Sequence, residues 1–217
     1  LHEEMITNPF IQENITKCIQ KNITVLGPTH GALLSGDIGY GRMISPTYIA
    51  KIIEGFFMPQ INLTNQTILV TAGGTAEHID PVRFIKNNSS GMLGETIAQL
   101  ALIYGASVYL VSHQDTENIG YKKFSTYQSS DDLNSLISKQ IKFADTLIMS
   151  AAVSDYIPVY SQKKIRRNNS NIQLTLTPNK DILQSVSRGK KCKHVIGFCL
   201  LDDLSDTKTP IQKCVEK

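Results

Sequence analysis

Two stretches of the chain hold residue types spaced as a binding site would hold them. The first is TAGGTAEHIDPVRFIKNNSSG, Thr71 to Gly91, with small-residue turns at both ends. Gly73-Gly74-Thr75 permits close backbone approach or positive φ. Ser89-Ser90-Gly91 precedes a helical pattern, where free N–H groups and the helix dipole favour an anion by roughly 0.3–1 kcal/mol. Serine also caps helices and glycine also makes turns, so spacing alone leaves an anion site and a plain capped turn equally open. Asp80-Pro81 reads as a turn and Arg83 as a surface charge. Asn87 cannot act as a base, but its amide can hold a carbonyl or phosphoryl oxygen. The spacing G-x-G-x-x-G is missing, which disfavours a nicotinamide oxidoreductase.

The second stretch is SAAVSDYIPVYSQKKIRRNNS, Ser150 to Ser170. Ala151-Ala152 lets a flat ring lie near the backbone, and Asp155 can accept from ribose hydroxyls. Lys163, Lys164, Arg166 and Arg167 form a dense basic cluster. Such a run is commonly a solvated edge, but after a sheet strand flexible cations can neutralise a polyphosphate. His30, His78, His113 and His194 have no metal-like or triad-like company and read as structural or surface residues. Ser35 lies in a glycine-rich loop without a nucleophile elbow, so it is not read as a hydrolase serine.

The elements that must position these loops follow from periodicity. Asn8-Pro9 starts a helix carrying Ile11, Ile15 and Ile19, and Ile23 to Leu26 reads as a strand. The glycine-rich run GPTHGALLSGDIGYGRM follows, and Ser45-Pro46 then caps a helix with Ile49, Ile52, Ile53 and Phe56. Residues 58–66 are polar and contain a proline, a linker composition. Beyond them, strand-like runs at 67–71, 107–111, 146–150, 172–176 and 194–199 alternate with helical patterns at 93–104, 131–143 and about 181–188. Ser130 or Asp131 is the expected cap of the middle helix. The alternation predicts an α/β, Rossmann-like parallel sheet covered on both faces. Ligands bind beyond the carboxyl ends of such strands. Three loops fall there: Ala72–Gly91, Ala151–Arg167 and the segment after Gly197-Phe198.

Composition narrows the classes. Of 217 residues, 41% are hydrophobic with no apolar run of membrane-spanning length, so a soluble protein with no membrane partner is expected. A net charge of +3 is too mild to indicate nucleic acid. Cys18, Cys192, Cys199 and Cys214 are widely spaced, neither a disulfide framework nor a zinc site, and read as reduced thiols in a cytoplasm. The first residue is Leu1, which suggests a chain cut from something longer.

TAGGTAEHIDPVRFIKNNSSG, followed in order by AAVSDY, KIRR and VIGF, resembles the phosphopantothenate–cysteine ligase family. The resemblance implies that CTP activates the carboxylate of 4′-phosphopantothenate as an acyl-cytidylate, with Mg2+, and that the L-cysteine amine then displaces CMP. By position, Asn87 matches the family asparagine associated with acyl-cytidylate turnover. Lys164 matches the first lysine of K-I-K-K, and Arg166 and Arg167 replace the later two. Ser150, Ala151, Asp155, Lys180, Asp181, Ile182 and Phe198 match CTP-contacting positions, Phe198 packing on the cytosine. Gly73, Gly74, Thr75, Arg83, Ser89, Ser90 and Gly91 form the substrate and phosphate loop. No protein metal ligands are assigned, and a homodimer through the ligase domain is implied.

EMITNPFIQENI and GALLSGDIGYGRM are similar to the end of the flavodoxin-like decarboxylase commonly fused before this ligase. Ser35, Gly36, Gly39, Gly41, Arg42 and Met43 then correspond to its substrate clamp. Ser35 stands where that family has a catalytic cysteine, so this piece is expected to be inactive; FMN is expected only with an intact decarboxylase domain. The expected division is a decarboxylase-like remnant at 1–57, a linker at 58–66, and a C-terminally incomplete ligase domain at 67–217. Met92 stands where the family has a lysine, and Cys199-Leu200-Leu201-Asp202 replaces A-A-E-T. These departures motivate an alternative, a non-catalytic relic or partner subunit that keeps the nucleotide-binding fold.

Overall fold

The structure is a computed structural model that describes residues 3–57, 61–167, 171–189 and 192–199. At the N-terminal end, a short helix α1 (Glu3–Ile6) precedes α2 (Pro9–Gln20). Asn8 caps α2, its side chain accepting from the Phe10 N–H, with Pro9 at the first helical position. No residue of α2 is buried. The glycine-rich run is an antiparallel hairpin, β1 (Thr29–Ala32) with β2 (Ile38–Arg42), turning through Gly36 at φ 92°. Ile23–Leu26, expected as a strand, has no regular structure: the run is apolar, but no strand lies alongside to take its backbone hydrogen bonds. Helix α3 (Pro46–Phe56) is capped by Ser45 as expected.

A five-stranded parallel sheet organises the rest. Its strands are β3 (Thr67–Ala72), β6 (Ser107–Ser112), β7 (Lys123–Thr126), β8 (Thr146–Met149) and β11 (His194–Gly197), in the order β11-β8-β3-β6-β7. Two small antiparallel hairpins project from it: β4 (Ala76–His78) with β5 (Phe84–Lys86), and β9 (Tyr156–Pro158) with β10 (Leu176–Pro178). Helices α4 (Met92–Ile103), α5 (Ser130–Gln140) and α6 (Ile182–Arg188) complete the fold. Among the described residues no helix is long and apolar enough to cross a membrane.

Alternation along each strand builds two cores. Leu69, Val111, Leu147 and Met149 pack against Leu133 and Ile137 of α5 and Ile182 and Val186 of α6. Ile68, Val70, Val108 and Leu110 pack on the opposite face against Ala98 and Ala101 of α4. Fully burying each large aliphatic side chain contributes about 1.5–3 kcal/mol. The small faces of α4 let it approach closely. A Cβ on Gly94 would lie 2.6 Å from the Thr71 carbonyl oxygen and 2.7 Å from the Ala72 Cβ.

Three expectations are corrected. Residues 172–176 do not join the sheet, and only Leu176 onward is extended, paired with Pro158 in the β9–β10 hairpin. Ile172, Leu174 and Leu176 alternate like a buried strand, yet all three face solvent. The fifth sheet strand is instead β7, a short polar edge strand beside β6. Helix α5 is capped not by Ser130 or Asp131 but by Ser129. The Ser129 hydroxyl accepts from the Asp132 N–H at 3.1 Å, and the Asp132 carboxylate accepts from the Ser129 N–H at 3.0 Å, a reciprocal capping box.

Candidate functional site

Strand β3 leads through α4 to β6 on one side, whereas β8 lies on its other side. The order in which strands are added therefore reverses between β3 and β8, and the connections leaving their carboxyl ends run to opposite sides, the position where open α/β sheets bind ligands.

Those two loops are joined backbone to backbone. Gly74 and Ala152 form a parallel bridge; the Ala152 N–H donates to the Gly73 carbonyl at 2.7 Å, and the Thr75 N–H donates to the Ala152 carbonyl at 3.2 Å. Two buried threonines lock the junction. The Thr71 hydroxyl accepts from the Ala151 N–H at 3.1 Å, while the Thr75 hydroxyl accepts from the Ser154 N–H at 3.0 Å and donates to the Ser154 hydroxyl at 3.1 Å. The two threonines satisfy these backbone groups within the protein, which stiffens the junction.

Asn87 sits at this junction. Its amide nitrogen donates to the Ala152 carbonyl at 3.2 Å, which fixes the amide plane, and its N–H donates to the Thr75 carbonyl. The close approach needs glycine, because a Cβ on Gly74 would lie 2.3 Å from the Asn87 carbonyl oxygen. Gly73 and Gly91 have φ of 92° and 81°, and the His113 ring fills the space a side chain would take at Gly73. The serines serve the helix start: Ser89 Oγ accepts from Gly91 N–H at 3.4 Å and Ser90 Oγ from Met92 N–H at 3.3 Å. Both are long, and Gly91, the N-cap itself, offers no side chain.

Arg83 is not the plain surface charge expected from sequence. Asp80 is fully buried and accepts four hydrogen bonds. Oδ1 takes the Val82 and Arg83 N–H groups, each at 2.8 Å; Oδ2 takes the Arg83 guanidinium and the Ile165 N–H, the latter at 3.0 Å. Arg83 also donates to the Ile165 carbonyl at 3.0 Å. Burial opposes ionisation of Asp80, but the Ile165, Val82 and Arg83 N–H groups and the guanidinium outweigh it and hold the carboxyl at about 2. The basic loop is tethered at Ile165, with Lys163, Lys164, Arg166 and Arg167 all exposed around it.

The remaining expected residues lie along the same edge. Ser150 and Ala151 are half-buried directly after β8, and Asp155 is exposed with its carbonyl accepting from the Asn179 N–H at 2.7 Å. Asn179 in turn holds the Ser154 carbonyl and the Lys180 N–H, both at 2.8 Å. Asp181 caps α6, accepting from the Gln184 N–H at 2.8 Å. Ile182 is in the core, so its side chain does not line the crevice. Phe198, half-exposed, follows β11 beside the β8 loop. Leu200–Asp202 and Cys214 lie outside the described residues. Ser35 is exposed at the β1–β2 tip, where it lines a cavity of about 410 Å3 with Arg42 and Met43.

Several supporting residues were not singled out from sequence. The Tyr127 hydroxyl donates to the Ala72 carbonyl at 2.9 Å, and burial pushes its phenol up. Glu77 is buried and accepts from the Ser130 N–H at 3.0 Å, at the first turn of α5. Burial, and then Lys86, hold the His113 ring below its usual range. The sequence reading names His113 only as a structural or surface histidine, and Tyr127 and Glu77 carry no local signal.

Fold and site together define an α/β protein of the Rossmann-like class with two loops joined at its topological switch point. Residues 63–216 match the family model described as the DNA/pantothenate metabolism flavoprotein C-terminal domain, and the chain belongs to that family. It is similar to the Coenzyme A biosynthesis bifunctional protein CoaBC of Vibrio vulnificus, 35% identical over 223 residues, all of this chain and 55% of the relative. The chain thus spans about half the length of the curated relatives it matches. Among solved structures, the DNA/pantothenate metabolism flavoprotein from Streptococcus pneumoniae is 30% identical with a TM-score of 0.57, over 64% of this chain and 72% of that one. The C-terminal domain of a coenzyme A biosynthesis bifunctional protein CoaBC is 34% identical with a TM-score of 0.52, over 61% and 63%.

Proposed function

We propose that the chain carries a CTP-dependent ligase that joins 4′-phosphopantothenate to L-cysteine in coenzyme A biosynthesis. The observation that carries this reading is the Gly74–Ala152 junction with the Asn87 amide fixed on it and a tethered basic loop alongside. Family membership and the names of the relatives support the pathway, and the ordered motifs from Thr71 to Phe198 support the ligase role.

The phosphopantothenate carboxylate attacks the α-phosphorus of CTP, and pyrophosphate leaves. The cysteine amine then attacks the acyl carbon, loses its proton to solvent, and CMP leaves with the anhydride electrons. Lys164, Arg166 and Arg167 screen the triphosphate charge as it separates. Asn87 orients the acyl oxygen for the second attack. Ser150, Ala151, Asp155 and Lys180 border the nucleotide, and Phe198 stacks on its base. Asp181 holds the α6 start beside them. Gly73, Gly74 and Thr75 give the backbone wall, with Ser89, Ser90 and Gly91 facing the substrate phosphate. Among the described residues no three His, Cys, Asp or Glu groups stand together as a metal site. Magnesium would be carried by the nucleotide, since phosphate oxygens are the hard donors it favours.

The domain division proposed with it takes residues 1–57 as a decarboxylase-like segment, 58–66 as linker and 67–217 as ligase domain. A serine hydroxyl at position 35 cannot replace a thiol as proton donor at neutral pH, so the N-terminal piece has no decarboxylase activity. A homodimer is supported by exposed apolar side chains on adjoining hairpins, among them Phe84, Tyr156, Val159 and Tyr160.

The test is steady-state pyrophosphate release from the chain with magnesium, CTP, 4′-phosphopantothenate and L-cysteine. Release should depend on both CTP and phosphopantothenate. No release from this chain, nor from a form extended to the length of its relatives, would overturn the ligase reading.

A further inference from the structure

We infer that Asp80 is a positioning residue: it fixes the basic loop against the β4–β5 hairpin by gripping the Ile165 backbone, and so sets where Lys164 meets the nucleotide phosphates. Only the consequence for nucleotide rests on the ligase reading; the grip itself stands on geometry alone.

A fully buried carboxylate in a turn needs a reason, since an ionised group out of water is costly unless it is paired and hydrogen-bonded. Half of Asp80 is used locally, where Oδ1 closes the turn through the Val82 and Arg83 N–H groups. The other half reaches across 85 residues of sequence to the Ile165 N–H. Arg83, itself paired to Oδ2, completes the grip by donating to the Ile165 carbonyl. Both polar groups of one backbone unit are thus held, in the middle of KKIRR. A second tie comes from the same hairpin, the Ser161 N–H donating to the Ile79 carbonyl at 2.8 Å. Four long cations with exposed side chains would otherwise repel one another and swing with the loop. Clamped at Ile165, their stems start from a fixed point, which reduces the ordering entropy left for ligand binding.

The two oxygens make the proposal separable from general folding. In Asp80→Asn the remaining oxygen can keep the local turn. The new NH2 then faces the Ile165 N–H and the guanidinium, donors against donors, so only the cross-loop half is lost. Ile165→Pro removes the same bond from the other side, and its position is a surface loop without regular structure. Asp145→Asn serves as control. Asp145 accepts from the Thr67 N–H and Lys193 at the amino end of the sheet, away from the loop.

Amide hydrogen exchange over residues 163–167 is measured in the full chain, together with KM for magnesium–CTP and kcat. Asp80→Asn and Ile165→Pro should each speed exchange about tenfold, the loss of roughly one good hydrogen bond. Each should raise KM about tenfold with a smaller change in kcat, while Asp145→Asn leaves loop exchange as it was. Circular dichroism identifies a variant that fails to fold, and the other variant then decides. Unchanged exchange in a folded variant overturns the grip; faster exchange with unchanged KM overturns its role in nucleotide binding. If the unaltered chain releases no pyrophosphate, the ligase reading falls, and the exchange result still decides the grip.

Discussion

Asn87, Lys164 and Asp80 make separable demands at the scale of single residues. Lys164→Gln should slow acyl-cytidylate formation, lowering kcat about 10²–10³-fold, as removal of one transition-state donor does. Asn87→Asp should instead let the intermediate accumulate, because it exchanges the donor that holds the Ala152 carbonyl for a charge. Mass spectrometry of quenched reactions separates the two, and normal turnover of the intermediate in the Asn87 variant contradicts its assigned role. Asp80 also makes a pH prediction. Its carboxyl falls from 3.8 to about 2 on folding, so its contribution is full above about pH 4 and is lost as pH falls through 2. Thermal unfolding of the unaltered chain should weaken across that window, and Asp80→Asn should show a shallower decline; an identical decline contradicts the buried ionised state. The order of the motifs singles out Asn87 and Lys164 in the sequence, and the structure sets Asn87 on the Ala152 carbonyl and leaves Lys164 exposed. Asp80 was not legible there: an Asp-Pro pair reads as a surface turn, and its partner 85 residues away leaves no local trace.

The elements were legible where burial on both faces forces continuous apolar runs, as in Ile68 to Val70 and Val108 to Val111. Asn8-Pro9 and Ser45-Pro46 announced their helices because cap chemistry is local. Strand β7 escaped notice since an edge strand as short and polar as Lys123–Thr126 has no pattern of its own, and its existence depends on β6. The segment 172–176 failed for the opposite reason, alternating apolar residues that find no place in the parallel sheet and stay in water. Close contact between α4 and β3 is likewise invisible before folding, but it sets a test. Gly94→Ala pushes a methyl against the Thr71 carbonyl and Ala72, which should cost about 2 kcal/mol and lower Tm by about 4–8 °C. An unchanged Tm would mean that α4 sits farther from the sheet.

At the scale of the whole molecule, the order β11-β8-β3-β6-β7 is what brings two loops, distant in sequence, to one crevice. The apolar hairpins outside that crevice predict self-association: sedimentation should give a dimer, and Phe84→Asp a monomer of unchanged fold. A monomer before substitution contradicts the dimer. The central claim, that this crevice activates a carboxylate on CTP, is tested most directly by a single-turnover reaction without cysteine. Magnesium, CTP and 4′-phosphopantothenate should yield about one equivalent of pyrophosphate per site and a species with the mass of the acyl-cytidylate, which added L-cysteine discharges to CMP. CTP bound without pyrophosphate release, or CTP cleaved equally well without phosphopantothenate, would contradict it.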